Sequence, residues 1–139
     1  MIWIGYALLS AIFAAAVAIL AKIGLKDVDS TLATTIRSVV MAIFLLAAAG
    51  VLQKFALLKT VGSQALTFII FSGVAGALSW FFYFLALKNG PAAGVAALDR
   101  LSVVFVVILA AMFLGEVLTL KSVVGLIFIV LGALLLVFK

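Results

Sequence analysis

Asn89-Gly90-Pro91-Ala92-Ala93-Gly94-Val95-Ala96-Ala97-Leu98-Asp99-Arg100-Leu101-Ser102 ends one apolar run, turns, and opens another that carries two adjacent charges. Gly90 suits the position just past a helix end, where a left-handed φ costs glycine little. Pro91 suits the first turn of the next helix, where its missing N–H is not needed. The run from Ala92 to Leu114 is uncharged apart from Asp99 and Arg100. A run of that length crosses a bilayer, and charge within it is costly, so the pair demands a partner or a purpose.

The rest of the chain has the same character. Of its 139 residues, 70% are hydrophobic and 9% charged, and the mean hydropathy is +1.59. Soluble domains carry roughly 25% charged residues. These values describe an integral membrane protein with almost nothing outside the bilayer. It must be all-α, because lipid cannot satisfy exposed backbone groups and the alternation of a barrel is missing. The net charge of +5 comes from lysines between the apolar runs, where they set topology and meet headgroups. It therefore does not point to nucleic acid as a partner. Cysteine and histidine are absent from the sequence. That removes disulfides, thiol chemistry and imidazole metal sites, so no cofactor or metal centre is expected. With no carboxylate cluster either, an enzyme is disfavoured. Met1-Ile2-Trp3 lacks the basic start of a signal peptide, so the first run reads as a span.

The expected organisation is one domain, 1–139, of five helices at about 2–23, 31–52, 64–87, 92–114 and 119–138. In the first, Ala7, Ala11, Ala14, Ala18 and Ala21 form a small-residue face that lets helices approach closely. Trp3 and Tyr6 read as interfacial aromatics. Asp29 or Ser30 suits the N-cap of the second helix, and Thr119 that of the fifth. Arg37 lies within the second run and must snorkel outward or face protein. In the third, Gly73, Gly76, Trp80, Tyr83 and Leu87 step by three and four and share a face. Trp80 and Tyr83 would then wall a space left at Gly76, in the manner of a ligand site, although such a stripe can equally be packing. Gly125 and Gly132 share a face of the fifth helix and mark a close helix contact. Glu116 reads as a structural acceptor in the interface.

Ser79-Trp80-Phe81-Phe82-Tyr83-Phe84-Leu85-Ala86-Leu87, Gly90, Val95-Ala96, Leu98-Asp99-Arg100-Leu101-Ser102 and Leu114-Gly115-Glu116 together resemble the EamA-type family of the drug/metabolite transporter superfamily. Ala33-Thr34-Thr35-Ile36-Arg37-Ser38, Gly125 and Gly132 are similar to it as well, so the resemblance covers nearly the whole chain. Many members have ten helices, built as two inverted five-helix repeats, and this chain resembles one repeat on its own. The family often has Asp-Lys at Asp99-Arg100 and proline at Ala97, so charge is kept here while the proline kink is not. Related small multidrug transporters rely on a glutamate in the first helix, whereas Met1 to Ala21 holds no acidic residue. A proton-coupled exchanger of that kind is disfavoured. Gly125 and Gly132 are similar to the glycine pair on the dimerising helix of those proteins, which makes them the expected dimer contact.

The resemblance implies a secondary transporter of a small metabolite, in the inner (plasma) membrane of a prokaryotic cell, working by alternating access as an antiparallel homodimer. The alternative is a non-transporting membrane subunit that works only with a different chain. The expected substrate-binding or coupling residues are Asp99, Arg37, Arg100, Trp80 and Tyr83. Counted from the same membrane side, Arg37 and Asp99 both come about 10 Å deep and so could pair. Arg100 points about 100° away from Asp99, toward the interface or a substrate anion. The alternative for all three charges is a structural network. An odd number of helices places the termini on opposite sides. Lys54, Lys59 and Lys121 then oppose Lys22, Lys26, Lys88 and Lys139, a balance too even to fix one orientation, and dual topology follows.

Overall fold

The computed structural model describes residues 1–138, all of whose regular elements are helical. Helix α1 is Ile2–Gly24, α2 is Ser30–Val51, and α3 is Ser63–Asn89. A 3₁₀ segment, Lys54–Thr60, joins α2 to α3 where the sequence suggested a plain connection. Helices α4 (Ala92–Asp99) and α5 (Ser102–Leu109) and a π-helical turn, Ala110–Leu114, make up the fourth apolar stretch, and α6 is Leu120–Val137. Among the described residues, five stretches are long and apolar enough to cross a membrane: Ile2–Gly24, Ser30–Val51, Ser63–Asn89, Ala92–Leu114 and Leu120–Val137. Lys139, one of the basic residues in the charge balance, lies outside the described residues.

The caps follow from side-chain chemistry. Asp29 takes an extended backbone (φ −61°, ψ 137°), and its carboxylate accepts the Leu32 N–H at 3.0 Å. Thr119 does the same for α6, its hydroxyl accepting the Ser122 N–H at 3.2 Å. Each satisfies one of the N–H groups that a helix start leaves without a partner. Gly115 ends the fourth stretch in the left-handed region (φ 68°). There its N–H and that of Glu116 (3.3 Å) both reach the Ala110 carbonyl.

The fourth stretch is not the continuous helix that its sequence suggests. The Arg100 N–H is shared between the Ala96 and Ala97 carbonyls at 3.3 and 3.2 Å. The next bonds run Leu101 to Leu98, Val103 to Arg100 and Val104 to Leu101, each spanning three residues rather than four. This 3₁₀ tightening falls on the charged pair and needs no proline. Short 3₁₀ stretches inside helices often mark a hinge or strain, and broken helices line the sites of many transporters.

Most apolar side chains face outward, among them Phe13, Phe44, Phe71 and Phe128, as lipid-facing side chains do. Only a few are enclosed, and Leu25 and Leu87 are the largest of those with almost no exposure. The chain falls into two compact units: Met1–Ile23 with the chain from Asn89 onward, and Gly24–Lys88. In the first, α4 packs on α6, where buried Gly94 brings the backbone close to Val137. Lys22, at the end of α1, donates to the Gly90 carbonyl at 2.9 Å. In the second unit, the Lys88 ammonium at the end of α3 donates to the carbonyls of Leu25 (2.6 Å), Lys26 (3.3 Å) and Val28 (3.0 Å). One cation thus fastens the α1–α2 connection and satisfies backbone that has no helical partner.

Candidate functional site

The site begins with Arg37. It is the eighth residue of α2, so seven rises of 1.5 Å place its Cα about 10 Å along the helix. Its guanidinium carbon lies 3.6 Å from the centroid of the Trp80 ring and 5.6 Å from that of Phe84. The indole is held in turn by edge contacts, to Tyr83 at 5.4 Å and 77° and to Phe84 at 6.1 Å and 68°. Phe84 is buried, with 3% of its surface exposed, and anchors the cluster. Trp80 and Phe84 share a face because they stand four residues apart on α3.

Magnitudes show what this stack leaves undone. An arginine at the centre of a span costs about 2.5–3.5 kcal/mol on insertion scales. A cation over an indole recovers about 2 kcal/mol when desolvated. The ring acts on the flat face of the guanidinium, while the N–H groups point from its edge. Within this unit, no described acceptor is hydrogen-bonded to them. Of the unit's two carboxylates, Asp27 and Asp29, the second is occupied at the Leu32 N–H. Arg37 therefore presents a half-buried cation, fixed in plane, with its donors directed away from the ring.

A second feature went unread in the sequence. Thr31, Thr34, Thr35 and Ser38 of α2 form one wall of a groove of about 440 Å³, opposite Ala77, Leu78 and Phe81 of α3. The hydroxyls of Thr34, Thr35 and Ser38 donate to the carbonyls of Ser30, Thr31 and Thr34 at 2.7–2.8 Å. Their protons are thus committed to their own helix, which leaves acceptor lone pairs toward the groove. The signal was present: these residues fall at i, i+3, i+4 and i+7, one helical face. Arg37 lies about 100° round α2 from Ser38, so the stack and the groove occupy different faces.

Three of the expected site residues, Arg37, Trp80 and Tyr83, come together in this unit. Gly73 and Gly76 do face open space, since a Cβ at either meets no atom within 4 Å. Asp99 and Arg100 belong to the other unit. Asp99 is half-buried at the last turn of α4, and Arg100 is exposed at the break that follows. Gly125 and Gly132 lie on an exposed face of α6, where a Cβ meets no atom within 4 Å. Among the described residues of this unit nothing closes on that face, and the tight α4–α6 approach is at Gly94. Among the described residues, no three His, Cys, Asp or Glu side chains gather as metal ligands would.

Comparison with known proteins agrees with this architecture. No solved structure matches the chain. An uncharacterized transporter in the cobO 3′ region of Sinorhizobium sp. is 43% identical over 134 residues, covering 96% of this chain and 95% of that one. The chain is therefore similar to a protein of its own half size. The model of the EamA-like transporter family matches residues 1–138. With five apolar stretches able to span a bilayer, this chain is an integral membrane protein and belongs to the EamA-like transporter family.

Proposed function

We propose that the chain is a secondary transporter that moves a small metabolite across a prokaryotic inner membrane by alternating access, as an antiparallel homodimer. The observation that carries this is the Arg37–Trp80 stack, a cation fixed inside a span whose donors meet no described acceptor within their unit. A charge at that depth is a functional group by default in a membrane protein. Family membership and the transporter-named bacterial relative support transport and location.

A half-size chain reaches a two-fold arrangement by pairing with an inverted copy, which yields two states related by symmetry around a midplane site. The open Gly125–Gly132 face of α6 supports a second copy there. Arg37, Trp80 and Tyr83 form the binding wall, Asp99 serves coupling, and Arg100 meets the interface or a substrate anion. The break at Arg100-Leu101 gives the fourth span a place to bend between states.

The test is flux of candidate metabolites into proteoliposomes that contain only this chain, with and without an imposed proton gradient. Saturable, protein-dependent flux supports the proposal. Flux that appears only with a different membrane chain overturns the homodimer and makes this a partner-dependent subunit.

A further inference from the structure

We propose that Arg37, held flat on Trp80, is the recognition point for the carboxylate of a small substrate with an apolar body. The proposal rests on the transport reading and names its substrate class. The ring occupies one face of the guanidinium, so recognition falls to the coplanar N–H edges. Those edges match two coplanar oxygens, as in a carboxylate, which arginine binds in bidentate fashion.

The surroundings argue for an apolar body. Trp80, Tyr83 and Phe84 form one contiguous aromatic cluster, of which Trp80 and Phe84 meet the cation. The unit offers no competing anion within its helices, since Asp27 and Asp29 both precede α2. Arg37 is half-buried rather than enclosed, so a solute can reach it. A lipid phosphate would offer the guanidinium the same kind of oxyanion, but it is tetrahedral and lies in the headgroup layer. Arg37 is about 10 Å along its helix, which favours a solute.

The experiment uses Trp80 as the reporter. Trp3 and Trp80 are the two tryptophans, so Trp3→Phe leaves one indole. The full chain is placed in phosphatidylcholine vesicles with no gradient and titrated with benzoate and with its neutral isostere, benzamide. Benzoate is expected to change Trp80 emission saturably, and benzamide is not. Arg37→Gln, with helical content checked by circular dichroism, should raise the apparent Kd for benzoate at least about tenfold. If Arg37→Gln loses helicity, Arg37→Lys decides: it keeps the charge but not the planar fork, and must also weaken benzoate.

Three results overturn the proposal: an equal response to benzamide, no saturable benzoate response, or a benzoate Kd unchanged in both variants. Loss of the response when phosphatidylglycerol is added to the vesicles also overturns it, because the site would then hold a headgroup. Binding is read without flux. An intact benzoate response in a chain that moves no solute would sink the transport reading alone.

Discussion

The Arg37 guanidinium lies 3.6 Å above the Trp80 ring, while Phe84, buried beneath the cluster, holds that ring edge-on at 6.1 Å. This makes the indole a platform rather than a lipid-facing belt residue. Trp80→Ala should weaken substrate binding far more than assembly. A desolvated cation–π contact of about 2 kcal/mol corresponds to roughly 30-fold in affinity. Trp80→Phe keeps a ring and should lose less. Transport KM set beside the size-exclusion profile measures both. Equal loss of binding and assembly would reduce the ring to packing.

Asp99 closes α4 beside a backbone break, so its charge can be tested apart from its shape. Asp99→Asn keeps size and hydrogen bonding and should leave folding nearly intact while abolishing or uncoupling transport. Asp99→Leu removes both properties. Normal transport by the Asn variant, with failed assembly of the Leu variant, would make Asp99 structural.

Lys88 joins the end of α3 to three carbonyls of the α1–α2 connection. Hydrogen bonds to a charged group contribute about 1.5–3 kcal/mol, and bare carbonyls would remain behind. Lys88→Met is expected to lower the thermal midpoint in detergent and to speed tryptic cleavage after exposed Lys26. An unchanged midpoint and unchanged cleavage would show that the clasp contributes nothing.

The five spans were legible because lipid enforces long uncharged runs, and capping by Asp29 and Thr119 was legible because it is local chemistry. The break at Arg100-Leu101 was not. Its cause is a shift in backbone bonding that neither proline nor glycine announces. Ala97 stands where the family often has proline, so residue type suggested a continuous helix. The shared face of Gly76, Trp80 and Tyr83 could be read from spacing, and the space at Gly76 is there. What lies over Trp80 could not be read, because that depends on how α2 packs against α3. The Lys88 clasp is a contact across some 60 residues and leaves no local pattern. The hydroxyl face of α2 was visible residue by residue and missed only as a set.

Glycines in α4 and α6 should respond differently to added bulk. At Gly94, a Cβ would lie 3.3 Å from Pro91 Cγ and 3.8 Å from Val137 Cγ2. Gly94→Leu should therefore strain the α4–α6 packing by about 1–3 kcal/mol and lower the thermal midpoint. Gly125→Leu and Gly132→Leu meet open space among the described residues of their unit and should leave that midpoint unchanged. If their face is the dimer contact, both should shift the protein toward monomer in a cross-linking assay. Dimers that persist in both variants would move the contact elsewhere.

The orientation of the chain is the last prediction, and it follows from the lysines. Alternation of five spans along the sequence would put Lys54, Lys59 and Lys121 on one side, and Lys22, Lys26, Lys88 and Lys139 on the other. Lys22 and Lys88 donate to backbone carbonyls, but they stay cationic and still count toward retention. Arg37 turns to Trp80 rather than to the headgroups, so it adds little to its side. Exposed Arg100 can add to the second side and the Met1 amine to the first, and the bias stays small. Mixed insertion is the expected outcome. A reporter fused after Lys139 that is active on only one side, beside a second active on only the other, should give comparable signals. Two or three lysines added to the Lys54–Thr60 segment should force one orientation and stop flux. Co-expression of a copy biased the opposite way should restore it. A wild-type chain found wholly in one orientation, yet active as a homodimer, would sink the antiparallel arrangement and require a parallel one.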